Sequence, residues 1–97
     1  MNHSQFIEST KLNTPPKEID GVELALWYAV KDDWDMAHNT AQEIHSETAS
    51  WIHAYLHRQE GDIGNAHYWY HRARKEACSS PLEEELEDIM QSIFSKC

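Results

Sequence analysis

The sequence predicts an all-α fold, an array of two antiparallel helical hairpins plus a C-terminal capping helix. Three observations carry this. Apolar residues recur at three- and four-residue spacing from residue 16 onward. Ser, Asp and Gly stand where short helices would start and stop. One pattern of small residues and turn residues returns after 29 positions. At 97 residues the chain suits one domain with a single modest core.

Residues 1–14 are polar and without a period, and they end in Thr-Pro-Pro. They read as a flexible N-terminal arm whose Phe6 and Ile7 can dock. Residues 15–97 form the helical domain, with the first hairpin at about 16–45. Its first helix runs from Pro16 to about Lys31, capped by Thr14, because proline is tolerated in a first turn. Ile19, Val22, Leu26 and Val30 mark one stripe, and Leu24, Ala25 and Tyr28 mark another, so this helix is buried on more than one side.

Asp32-Asp33 offers an N-cap to a second helix carrying Trp34, Ala37, Ala41 and Ile44 at helical spacing. The second hairpin spans about 47–77. Ser46 caps its first helix, Glu47 to about Glu60, and Gly61 ends it. Asp62 caps the next, with Ala66, Trp69, Tyr70, Ala73 and Ala77 on one face. Ser80-Pro81-Leu82-Glu83 reads as a capping box opening the last helix, about 81–95, whose stripe is Leu82, Leu86, Ile89, Met90, Ile93 and Phe94.

The repeated pattern is Leu24-Ala25-x-x-Tyr28 with Asp32-Asp33-x-x-x-Ala37, then His53-Ala54-x-x-His57 with Gly61-Asp62-x-x-x-Ala66. The second unit continues Ala66-x-x-x-Tyr70-x-x-Ala73. Both resemble the tetratricopeptide repeat, which places a small residue in its first helix, Gly-Asp at the turn and Ala in its second helix. The 29-residue offset is shorter than that family's period of about 34. Residues 34–75 also resemble a group of short bacterial and fungal proteins of unknown function sharing the wording W-I-H-A-Y-L-H-R, E-G-D, N-A and Y-W-Y. That likeness implies no activity.

A formal charge of −9 and a pI near 5.1 disfavour nucleic acid as a partner, since binding a phosphate backbone depends on Lys and Arg. The start lacks a basic, then apolar, signal pattern, and no run approaches membrane-spanning length. Cys78 and Cys97 make neither a disulfide framework nor a CxxC motif, so both read as free thiols of a reducing cytoplasm. The expected protein is cytoplasmic and binds neither membrane nor nucleic acid.

Four of the seven histidines lie in Trp51–Lys75, as the pairs His53/His57 and His67/His71. One helical turn is the spacing at which a helix offers two imidazoles to one metal ion. With Ala54 facing Ala66, however, a helix rotation of about 100° per residue turns the two pairs to opposite flanks of the hairpin. His67, His71 and Arg74 then read as a solvated face. His53 and His57 stand where the repeat keeps Leu and Tyr inside, and His38 lies level with Ala54 and points toward the third helix.

Three readings of a His38, His53 and His57 cluster, with Arg72 at its edge, follow. It is a satisfied structural network partnered by Asn65, Tyr68 or backbone carbonyls, or a polar ligand pocket, or a three-histidine zinc site. No Ser or Cys stands in a nucleophile motif, which argues against catalysis.

The resemblance implies a rival site, because the first helix of each repeat lines that family's concave groove. The matching positions are Trp51, Tyr55, Arg58 and Gln59, aromatics with an arginine suited to a peptide, a protein partner or a second copy of the chain. Their equivalents in the first hairpin, Ile19, Val22, Leu26 and Val30, are too apolar to stay wet, so the last helix is expected to cap them or a surface nearby. Glu83, Glu84 and Glu85 read as solvated charges favouring the helix dipole. A non-enzymatic interaction module is the leading expectation, and a small-molecule or metal site on the histidines the alternative.

Overall fold

The computed structural model describes residues 1–94 as six helices joined by turns. They are α1 (His3–Ser9), α2 (Gly21–Val30), α3 (Trp34–Gln42), α4 (Glu47–Gln59), α5 (Ile63–Ala73) and α6 (Leu82–Phe94). The all-α class holds: no strand occurs among the described residues. None of their helices is long and apolar enough to cross a membrane. Cys78 is a half-buried free thiol, while Cys97 lies outside the described residues.

The 29-residue pattern is present in the backbone of the two turns. Asp32 (φ 63°) and Gly61 (φ 90°) both take the left-handed conformation that ends a helix. One residue on, the amides of Asp33 and Asp62 each reach back 2.9 Å, to the carbonyls of Tyr28 and His57. The same two aspartates cap the following helices, accepting from Met36 N at 3.3 Å and Asn65 N at 3.2 Å. Ala25, Ala37, Ala54 and Ala66 are all buried, so small side chains lie where the helices of each pair meet. Helix α4 is the axis of the molecule: residues 49–57 are all buried, and α5, α3, α6 and α2 pack around it.

Four boundaries differ from the sequence expectation. Where a flexible arm was expected, α1 forms behind a reciprocal Asn2–Gln5 capping box with bonds of 2.8 and 2.9 Å. Phe6 is fully buried against Phe94, the ring centroids 4.9 Å apart, and Trp27 Nε1 donates to the Ser9 carbonyl. Two apolar residues, Phe6 and Ile7, are too few to show a period. Helix α2 starts at Gly21 rather than Pro16. Gly21 has φ +58°, which breaks helical continuity, and Asp20 rather than Thr14 holds the N-cap position. Helix α3 stops at Gln42, short of Ile44.

Helix α5 ends at Ala73 because Arg74 takes φ 60°, leaving Ala77 exposed beyond the helix. A left-handed arginine costs about 1 kcal/mol, and glycine there loses roughly half of that gain to backbone entropy. The Arg74–Glu47 ion pair at 3.3 Å joins two exposed side chains and adds little. Arg74→Gly is therefore expected to raise stability by about 0.5 kcal/mol. Urea unfolding should show this as a higher midpoint at an unchanged m-value.

Helix α6 lies mainly on α4, the surface beside the first hairpin's apolar stripe, with smaller contacts to α1 and α2. Ile89, Met90 and Ile93 are buried there, and so is Glu85, at 0% exposure. Glu83 and Glu84 are exposed as expected, but Glu85 is not a solvated charge. It sits one turn before Ile89 on the apolar stripe and accepts three hydrogen bonds. These come from Trp51 Nε1 at 3.1 Å, Tyr70 OH at 2.5 Å and Arg58 at 2.9 Å. Arg58 also donates to the Ser80 carbonyl, tying down the chain just before α6.

Candidate functional site

The histidine cluster forms where α3, α4 and α5 meet. The N-caps Asp33 and Ser46 set the starts of α3 and α4 and so bring His38 level with His53 across the antiparallel pair. Their Nε2 atoms lie 2.9 Å apart. His57, one turn along α4, completes the group: a ligand atom from each of the three imidazoles falls within 4.8 Å of the others. His53 and His57 are 4% and 6% exposed, and His38 is half-buried.

Two tryptophans wall the cluster. Trp34, one turn before His38, stacks on it at 4.7 Å and 11°, and its indole N–H donates to the Leu56 carbonyl at 2.7 Å. Trp69 of α5 stacks on His53 at 3.8 Å and 8°. Arg72 lies over Trp69 at 5.2 Å and donates to Tyr68 OH, so it borders the cluster through the indole. Asn65 bonds Asp62 instead. The expected partners Asn65 and Tyr68 therefore give way to aromatic stacking and to the histidines themselves.

The electrostatics favour neutral rings at His38 and His53. Burial, followed by the neighbouring His38, His57 and Arg72, pushes the His53 pKa down to about 3. Burial and then His57 lower that of His38, against opposing effects of Asn39, Glu60 and Asp35. A short Nε2···Nε2 contact also requires one ring to donate and the other to accept, which forbids a proton on both facing atoms. His57 Nδ1 meets Glu60 Oε2 at 2.7 Å. An ionised carboxylate only accepts, so Nδ1 carries a proton and the lone pair of a neutral His57 is on Nε2.

Three elements of the site escaped the sequence reading. Trp34 and Glu60 stand four residues before His38 and three after His57, spacings that put each on its histidine's helix face. Trp69 was assigned to packing, and its face toward His53 depends on how α5 rotates against α4. His67 and His71 are exposed and outside the cluster, as the helix rotation implied.

Of the expected partner-groove residues, Trp51 and Arg58 are held by Glu85 of α6 and Tyr55 is buried, whereas Gln59 stays at the surface. Trp51 is 9% and Tyr55 4% exposed, and Gln59 bonds Asp32 at 3.1 Å. The chain's own helix fills the Trp51 and Arg58 part of the groove. No family model, curated protein or solved structure matches the chain, so the geometry alone carries the functional reading.

Proposed function

We propose that the protein binds a transition-metal ion of the zinc type through His38, His53 and His57. The observation that carries this is the convergence of three imidazole ligand atoms within 4.8 Å inside a largely buried, aromatic-walled site. Imidazole suits borderline metals such as zinc, whereas calcium and magnesium require oxygen ligands. Neutral rings are the ligating form, and the lowered pKa values of His38 and His53 keep them neutral at physiological pH.

Glu60 on His57 supplies the outer carboxylate that metal-bound histidines characteristically use to fix ring orientation. Tetrahedral zinc with bonds of about 2.0–2.1 Å places its nitrogens about 3.3 Å apart. The His38–His53 contact would open by a few tenths of an ångström to admit the ion. A fourth position is left for water or a ligand.

The partner-binding reading stands less well on this geometry. A peptide or second copy using Trp51, Tyr55 and Arg58 must first displace α6, and with it three hydrogen bonds to a buried carboxylate.

The test is calorimetric titration of zinc into protein purified without an affinity tag and stripped with chelator. Binding at one ion per chain is expected, with a stability gain of about 2.7 kcal/mol when free zinc is a hundredfold above Kd. His38→Gln should weaken binding at least about tenfold while the helical spectrum is kept. Substoichiometric binding together with unchanged melting would overturn the metal reading.

A further inference from the structure

A second site lies beside the cluster, where the α3–α4 turn faces α5. A cleft of about 480 Å³ opens there, within the size range of small-molecule pockets. Its apolar surface comes from Ala41, Ile44 and Ala49, and Trp69 separates it from His53. Two of the three arginines line it, although the chain as a whole carries −9.

Those arginines are not equivalent. Arg58, outside the cleft, is spent on Glu85, and Arg74 pairs with Glu47, the one carboxylate of the lining. Arg72 has no carboxylate partner among the described residues; its guanidinium rests on Trp69 and Tyr68 and bonds only the Tyr68 hydroxyl. A second polar group faces the same space. Ser50 lines the cleft, and its hydroxyl, which is not sealed from water, is available to a ligand oxygen.

We infer that this cleft binds a small anion, a carboxylate or phosphate group on an apolar body, with the acid group on Arg72 and the Ser50 hydroxyl. A planar guanidinium held over two aromatic rings, with Nη1 on the Tyr68 hydroxyl, keeps its Nε–Nη2 edge for paired hydrogen bonds to such an oxyanion. The apolar body would lie on Ala41, Ile44 and Ala49. The site stands without the metal reading, since none of the three histidines lines the cleft.

The test follows the assigned Trp69 indole N–H by NMR in the metal-free full chain, titrated with benzoate, acetate and inorganic phosphate against sodium chloride of equal ionic strength. A saturable shift with benzoate or phosphate, absent with chloride, is expected. Arg72→Gln should weaken it at least tenfold with the rest of the spectrum intact, and Arg74→Gln should weaken it less. Saturation by phosphate alone identifies phosphate as the acid group. Saturation by benzoate ahead of acetate identifies a carboxylate with an apolar body. The proposal is overturned if no probe saturates, if chloride reproduces the shift, or if Arg72→Gln leaves it unchanged. Because no metal is present, none of these results can be mistaken for failure of zinc binding.

Discussion

Glu85→Ala is expected to lower the unfolding free energy by about 3–4 kcal/mol, a large share of the roughly 5–15 kcal/mol available to a small domain. The carboxylate is fully buried, and three donors from two helices converge on it: Trp51 and Arg58 of α4 and Tyr70 of α5. Alanine would leave all three unpaired, with the Arg58 charge mostly sequestered, and would open a cavity beneath α6. Glu85→Gln keeps the volume and one acceptor oxygen but loses the charge and turns an amide N–H₂ toward donors, so a loss of about 2 kcal/mol is expected.

The double variant Arg58→Met with Glu85→Leu separates the cost of breaking the pair from its net contribution. Replacing both partners with apolar groups should restore most of the stability that Glu85→Ala loses, because burying the ions carries its own desolvation penalty. Urea unfolding measures each variant, and amide exchange in α6 reports whether that helix loosens first. A loss below about 1 kcal/mol for Glu85→Ala would mean that Ile89, Met90 and Ile93 hold α6 without the carboxylate.

The same residue shows where sequence periodicity succeeds and where it fails. Helices α3, α4 and α5, their caps and the 29-residue turn pattern are legible because each rests on local chemistry: Asp33, Ser46 and Asp62 cap neighbours three residues away. Glu85 was masked by its own context, since a glutamate in a first-turn acidic run has an adequate local explanation. Only its place on the apolar stripe, one turn before Ile89, hints at burial, and only α4 reveals the donors it meets. The His38–His53–His57 grouping is readable from helix rotation, but its tryptophan walls depend on interhelical geometry that no local pattern encodes. Helix α1 is the converse case, a short element held by contacts to Phe94 and Trp27 far along the chain.

In the metal-free protein, stability is expected to fall as pH drops below about 6.5, with a slope of about 1.4 kcal/mol per pH unit from His53 alone. The unfolded imidazole takes up a proton through 6.5, whereas the folded one does so only near 3. Between those values the unfolded chain binds more protons, so acid drives unfolding. The contribution is fully present above the unfolded pKa and is lost as pH falls toward 3. His38 adds to the slope in the same direction, since its folded pKa is also lowered. Burial is the largest cause, and the groups that add to it face His53 from three helices: His38 on α3, His57 beside it on α4 and Arg72 on α5.

Comparison with His53→Leu isolates this titration from that of the carboxylates, which acts on both proteins. Between pH 6.5 and 4.5 the native sequence should lose about 2–3 kcal/mol more than the variant, whatever their starting difference. Parallel losses would mean that His53 titrates in the fold as it does in the unfolded chain. That behaviour would require the ring to reach water or an acceptor, and is incompatible with a ring sealed between Trp69 and His38.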